Sequence, residues 1–215
     1  MSVLAPDAAR FAAHTPVAVV GGGACGLCAG LALRDAGIDA LVLEQDRTPA
    51  GTTAMSTGLI PGAGSRFQRA RGIADSADQF AADILAKTRG ATDPAIARLI
   101  AAESARTVEW LADRHGVPLS LVDSFRYPGH SAMRMHGTPN RTGAELMAAL
   151  IQAAERAGLD ILTGARVTAL FADATGRVHG LRLERPDGAG EDLACDALVL
   201  ACCGFGGNRE LVATL

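Results

Sequence analysis

The chain has 215 residues, enough to bury one sizeable core and near the upper end for one domain. Hydrophobic residues make up 49% and charged residues 20%, an ordinary composition for a soluble globular protein. A formal charge of −3 gives no electrostatic reason to bind nucleic acid, and no apolar run approaches the length of a membrane helix.

The N-terminus, MSVLAPDAARFAAHTP, lacks a basic stretch followed by a long apolar one, so it does not read as a signal peptide. Five cysteines, an odd number, do not form a secreted disulfide framework, and the expected compartment is the cytoplasm. Residues 1–15 read as a loose arm before a single domain over 16–215. PVAVV then reads as a buried parallel strand ending in glycines. A helix is expected from about Ala24 to Ala36, stopped by Gly37, and IDALVLE is the next strand. Together they make one βαβ unit.

The basic stretch SRFQRARG, Ser65 to Gly72, reads as a solvated loop, with an anion site as the alternative. Residues 75–90 and 92–116 read as helices opened by Asp, Ser or Thr caps and closed by glycines. A third helix opens at Thr142, with Glu145 completing a capping box, and runs to Gly158. DILTG reads as a sheet strand. ARVTALFAD, GRVHGLRLER and EDLACD read as a small antiparallel meander, and DALVLACCGFGG as a further buried strand.

Gly21-x-Gly23-x-x-Gly26 lies between the first strand and the first helix. Gly21 allows a tight turn, Gly23 lets a diphosphate approach the backbone, and Gly26 lets helix and strand pack closely. The free N–H groups and the positive end of the helix dipole would face the phosphates. Glu44 ends the second strand, 18 residues beyond Gly26, where a carboxylate accepts hydrogen bonds from ribose hydroxyls. This context points to dinucleotide binding, against the alternative of a tight turn with no ligand. Glu44 followed by Gln45 and Asp46 argues against a ribose 2′-phosphate and so against NADP.

Cys25 and Cys28 form a Cys-x-x-Cys at a helix start, which lowers thiol pKa and would suit redox work. A diphosphate in the same turn leaves them little room for it. Cys202 and Cys203 could join them in a zinc site, but adjacent cysteines are poor zinc spacing. Small buried hydrophobes are the favoured reading, and no metal is expected.

Several motifs now resemble one family, the flavoproteins of the fumarate reductase and succinate dehydrogenase group. Its soluble members include fumarate reductases, tricarballylate dehydrogenase and 3-ketosteroid Δ1-dehydrogenases. VAVVGGGACGLCAGLALRDAGIDALVLEQ is similar to the family's N-terminal FAD fingerprint. GTTAMSTGLIPG sits where the family has a loop running along the diphosphate and flavin. HSAMRMHGTPNRTGAELMAAL is similar to the segment leading into a helix by the cofactor. GARVTAL matches the strand whose backbone meets the adenine, and DALVLACCGFGGN the family's late strand end.

The resemblance implies an α/β, three-layer FAD-binding (Rossmann-like) domain with a parallel sheet, helices and a small antiparallel meander. It implies FAD as cofactor, held by Gly21, Gly23, Ala24, Cys25, Gly26, Glu44, Gln45, Gly51, Thr52, Thr53, Ser56, Thr57, Gly58, Val167, Ala201, Cys202 and Gly204. For the threonines and Ser56 the alternative is a polar surface loop. The implied activity is hydride transfer between flavin and a carbon–carbon bond next to a carbonyl or carboxylate. The substrate would be a small carboxylate or a ketosteroid, with no nucleic acid, no membrane segment and an unidentified electron partner.

Two departures from the family stand out. Its Thr-Gly at the last strand end is Cys202-Cys203 here, and a side chain at position 203 could crowd the cofactor. The family's chain is also roughly twice as long, and its later part supplies the substrate-binding arginine and histidine residues. The 215-residue chain alone is therefore expected to be inactive. His130, Arg134 and His136 are weak candidates for chemistry, while His14, His115 and His179 read as surface residues. Trp110 and Leu111 read as core. The alternatives are a non-catalytic dinucleotide-binding module and an NAD-linked dehydrogenase.

Overall fold

A computed structural model describes residues 1–204, 206 and 209–214. The chain divides into two compact units, residues 1–52 with 150–215, and residues 53–149. The elements in chain order open with β1 (Ser2–Leu4), a 3-10 turn (Pro6–Ala8), β2 (Phe11–Val20), α1 (Ala24–Asp35), β3 (Ala40–Leu43) and α2 (Gly51–Ala54). Next come β4 (Ile60–Pro61), α3 (Arg66–Arg69), α4 (Ala77–Lys87), α5 (Pro94–Asp113), β5 (Ser120–Leu121) and β6 (Met135–Gly137). The chain continues through α6 (Gly143–Arg156), β7 (Asp160–Leu162), β8 (Arg166–Ala172), β9 (Val178–Glu184), β10 (Gly190–Leu200) and α7 (Arg209–Thr214).

The first unit holds a sheet of order β1-β8-β9-β10-β2-β3-β7. Strand β2 pairs in parallel with both β3 and β10, and β3 pairs in parallel with β7. Only β9 runs against its neighbours, β8 and β10. Val17–Val20 are all buried because a central parallel strand is covered on both faces, which an uninterrupted apolar run satisfies. Ala18, Val20, Leu43, Ala165, Leu181, Leu183, Leu193 and Cys195 form one core cluster. Helix α1 buries Leu27 and Leu31 completely and ends where Gly37 takes a left-handed φ of 73°.

Two expectations need correction in this unit. The segment 1–15 is not loose: Ser2–Leu4 adds a parallel edge strand against β8, and β2 already begins at Phe11. EDLACD and DALVLACC are one continuous strand, β10. Its first half pairs with β9, and along its length it pairs with β2, with a register shift between Asp192 and Leu193. Asp196, where the two expected strands meet, lies within β10 with its side chain exposed, between Cys195 paired to Thr15 and Ala197 paired to Val17.

In the second unit, β4, β6 and β5 form a small antiparallel sheet, and α4 and α5 carry the expected caps. Ser76 accepts from the Gln79 amide, and Asp93 accepts from the Ala95 and Ile96 amides ahead of Pro94. The basic stretch is no open loop. Ser65 and Gln68 form a reciprocal capping box that starts α3, and Arg66 and Arg71 pair with Asp113 and Asp123. At α6 the expected box is only half made. The Glu145 amide donates to Thr142 Oγ1 over 3.2 Å, but the Glu145 carboxylate turns to Asn140.

A glycine turn, a buried carboxylate and the candidate cofactor site

Strand β2 runs straight into the glycine turn. Gly21 has a φ of 108° and its amide donates to the Leu43 carbonyl over 2.8 Å, tying the turn to the end of β3. A Cβ on Gly21 would lie 2.6 Å from the Ala201 carbonyl oxygen, and one on Gly26 would collide with the Gly21 carbonyl oxygen. Both positions therefore demand glycine. Helix α1 begins at Gly23 without a side-chain cap, and its first helical bond runs from the Leu27 amide to Gly23. The amides of Gly23, Cys25 and Gly26 have no hydrogen-bond partner among the described residues. Such an array, at the positive end of a helix dipole, suits an anion.

Glu44 follows β3 and is 7% exposed. Its Oε2 accepts from the Gly22 amide at 2.8 Å and its Oε1 from the Asp46 amide at 2.9 Å. Each carboxylate oxygen still has a lone pair for a hydroxyl donor. The backbone of Glu44 bridges to the Leu162 carbonyl and the Ala165 amide, which fixes its place beside β7 and the approach to β8. Gln45 is exposed next to it. Gly51 has a φ of 57°, and a Cβ there would sit 3.6 Å from Gly23 Cα, so Gly51 lies beside the turn with exposed Thr52 next in the chain. Val167 is partly buried against the core cluster, and Ala201 donates its amide to Val20 at the foot of the turn. Cys202 and Gly204 are exposed, while Phe205, Gly207 and Asn208 of the quoted strand-end motif lie outside the described residues.

Thr53, Ser56, Thr57 and Gly58 belong to the second unit. The stretch expected as an open loop contains one helical turn, α2, closed by hydrogen bonds from the Ser56 amide and Oγ to the Thr53 carbonyl. Ser56 Oγ accepts in turn from the Gly58 amide at 3.0 Å, and the Ser56 carbonyl accepts from the Gly143 amide at 2.8 Å. These bonds dock the segment onto the first turn of α6. Thr57 is exposed.

Within the same unit, Arg134 is fully buried. Its Nε and Nη2 each reach Asp75 at 2.8 Å, its Nη1 reaches Asp83 at 2.6 Å, and its guanidinium lies 4.7 Å over the Phe80 ring. Burial opposes ionisation of both carboxyls, but the bonds from Arg134 with those from Gln68 and Ser131 outweigh it and hold them below the ordinary range. His136 is fully buried, with Nε2 2.8 Å from Ser65 Oγ and its ring edge-on to Phe67. Burial pushes its pKa down, as it does for His130, where the Arg134 charge adds to the effect. Asp75, Asp83, Ser65 and Gln68 were not singled out in the sequence, where nothing in their spacing pairs them with a residue some fifty to seventy positions on.

The cysteines depart from their reading as small buried hydrophobes. Cys25, Cys202 and Cys203 are exposed, Cys28 is partly buried and only Cys195 is in the core. Burial, with Cys25 nearby, pushes the Cys28 thiol up to about 11, which leaves it protonated and unreactive at neutral pH. Cys203 occupies left-handed backbone at a φ of 64°. His115 is buried against Trp110, itself partly buried, rather than at the surface. His14 and His179 are partly or largely exposed beside Asp196 and Asp173.

The turn, the uncapped helix start and the buried acid together fit the adenosine diphosphate part of a dinucleotide. Comparison with known proteins identifies the family. The chain is 30% identical over 197 residues to the urocanate reductase of Eggerthella lenta, covering 91% of this chain and 32% of that protein. It is 29% identical over 198 residues to the NADH:fumarate oxidoreductase of Klebsiella pneumoniae, covering 91% of this chain and 21% of the other. Among solved structures, a flavocytochrome c3 fumarate reductase in its open conformation matches with a TM-score of 0.88 and 27% identity, over 97% of this chain and 37% of that one. A 3-ketosteroid-delta4-(5alpha)-dehydrogenase from Rhodococcus jostii matches with a TM-score of 0.81 and 26% identity, over 95% and 49%. The chain thus spans between about a fifth and a half of the length of these relatives. With the FAD binding domain model matching residues 16–215, the chain belongs to the FAD binding domain family of oxidoreductases, and FAD is its cofactor.

Proposed function

We propose that the chain is the FAD-binding part of an oxidoreductase that moves hydride between the flavin and a carbon–carbon bond next to a carbonyl or carboxylate. One local arrangement supports the cofactor side of this reading. An uncapped helix start offers the amides of Gly23, Cys25 and Gly26, and the buried carboxylate of Glu44 stands at the end of the neighbouring strand. In this reading the three amides and the α1 dipole hold the diphosphate. Glu44 accepts from the adenosine ribose hydroxyls with the lone pairs its two backbone bonds leave free. Gly51, Thr52 and Ala24 line the same turn, Gln45 lies next to the ribose acceptor, and the backbone at Val167 faces the adenine. Ala201, Cys202 and Gly204 close the late strand end. For Thr53, Ser56, Thr57 and Gly58 the family resemblance alone supports cofactor contact.

Bound FAD supplies hydride exchange at its N5, and the protein's part is to hold it and exclude competing reactions. Arg134 and His136 are buried in contacts of their own, which supports a structural role for them and leaves the acid and base of the reaction unassigned. The substrate class is taken from the relatives: an NADH:fumarate oxidoreductase, a urocanate reductase and a 3-ketosteroid dehydrogenase. The proposed substrate is a small carboxylate or a ketosteroid, and the proposed compartment is the cytoplasm. No helix among the described residues is long and apolar enough to cross a membrane.

The test is the visible spectrum of the protein after loading with FAD and desalting, followed by anaerobic titration with dyes and candidate substrates. Retained flavin bands at one FAD per chain support the cofactor assignment. A protein that retains no flavin and binds NAD instead overturns it.

A further inference from the structure

We infer that Glu44 is a positioning residue that holds the phosphate-binding turn in shape, in addition to any bond it makes to ribose. This deepens the cofactor reading above and rests on it. Two successive amides of the turn are pinned to two successive residues at the end of β3. Gly21 donates to the Leu43 backbone carbonyl over 2.8 Å, and Gly22 donates to Glu44 Oε2 over 2.8 Å. The first bond belongs to the backbone and survives any substitution at position 44. The second depends wholly on the side chain.

The turn is packed directly on that side chain. A Cβ on Gly22 would lie 3.0 Å from Glu44 Oε2, 3.1 Å from Glu44 Cβ and 3.3 Å from Pro49 Cβ. The second carboxylate oxygen is anchored by the Asp46 amide at 2.9 Å, so the group that grips Gly22 is itself held at both ends. Gly22 has glycines on both sides, and a Gly-Gly-Gly run has little intrinsic preference for one backbone path. Without an acceptor at position 44, the Gly22 amide is free to rotate toward solvent, and the path into Gly23 and α1 loosens. Glu44 also decides which amides face a ligand. It draws Gly22 inward and leaves Gly23, Cys25 and Gly26 for the anion. The binding advantage is preorganisation, since a turn already in shape loses less freedom when the phosphates arrive.

Two ligands separate this role from ribose recognition: ADP, and 2′,3′-dideoxy-ADP, which lacks the hydroxyls that Glu44 would accept. Glu44→Met keeps the length of the side chain and removes both acceptors, and Glu44→Gln keeps one acceptor oxygen as a milder variant. If Glu44 positions the turn, Glu44→Met weakens dideoxy-ADP binding about tenfold and Glu44→Gln weakens it less. Amide exchange in the ligand-free protein supplies an independent readout. The Gly22 amide should exchange at least about tenfold faster in Glu44→Met while the Gly21 amide, bonded to backbone, stays protected; a general loss of stability would speed both. Equal dideoxy-ADP binding by parent and variants, with Gly22 exchange unchanged, overturns the positioning role and leaves the cofactor reading standing. Failure of the parent chain to bind FAD and ADP overturns both.

Discussion

The two units of the chain treat their polar groups in opposite ways. In residues 1–52 with 150–215, the core cluster is apolar, and among the described residues the amides of Gly23, Cys25 and Gly26 are left without a partner at the start of α1. In residues 53–149, several polar side chains are drawn inside and paired with each other: Arg134 with Asp75 and Asp83, His136 with Ser65, Gln68 with Asp75 and the Met133 carbonyl. His130 Nδ1, His136 Nδ1 and Thr138 Oγ1 are buried there without a partner among the described residues. Unmet donors on a rigid frame mark a place for a ligand. Donors met in the interior mark a place where polar contacts specify the packing. A buried arginine is therefore no better a guide to catalysis than an exposed one, until its partners are counted.

The sharpest break of this contrast is Arg134→Ala. It leaves the buried Asp75 carboxylate and the partly exposed Asp83 carboxylate without their cation, and removing one member of such a set costs about 3–5 kcal/mol. Urea unfolding should show that loss, and a change below about 1 kcal/mol would mean that water already reaches the cluster.

Glu44→Ala is next in size. In the proposed cofactor site it removes charge-assisted bonds to ribose worth about 1.5–3 kcal/mol each, so FAD affinity should fall roughly ten- to a hundredfold by titration. Unchanged affinity would overturn both proposed roles of Glu44, as ribose acceptor and as the group that shapes the turn for the ligand.

Acid should act on the second unit through His136 and His130, whose pKa values are depressed by burial. The unfolded chain then binds protons that the folded chain refuses. Stability is fully present above the ordinary histidine value near ~6.5 and declines as pH falls from there through the depressed folded values. For one such proton the slope reaches on the order of 1.4 kcal/mol per pH unit. His136→Gln should flatten the pH dependence of unfolding just below about pH 6.5. Asp75 and Asp83, held low, lose their contribution only in stronger acid, below about pH 4. A slope identical in parent and variant would show that His136 is already protonated or exposed.

The smallest effect is expected at the cysteines. Changing Cys25 and Cys28 together to alanine should leave FAD affinity within a fewfold, because in the proposed site Cys25 offers the ligand its backbone amide, and the Cys28 thiol is held protonated. Elemental analysis showing one zinc per chain, lost in the double variant, would reverse this. Thiol labelling should separate fast Cys25, Cys202 and Cys203 from slow Cys28 and Cys195.

By itself the sequence determined the part of this protein whose signals are local. An apolar run, three spaced glycines and an acid after the next strand are read within about thirty residues, and each is a direct requirement of backbone geometry. The helix caps at Ser76 and Asp93 were legible for the same reason. Only the tertiary structure decided what depends on distant partners. The edge strand Ser2–Leu4 exists because Ala169–Phe171 is there to pair with it, 167 residues away in register. Arg134 is a buried ion-pair centre rather than a loop arginine because α4 and the segment before it bring Asp83 and Asp75 to it. The single strand β10 overrides its own apparent break at Asp196 because β2 offers a ladder along its length. The sequence marks Glu44 as an acid at a strand end, and only in three dimensions does it hold an amide, that of a residue 22 positions earlier. Local sequence sets backbone conformation, and partners far along the chain set burial and pairing, which no short window contains.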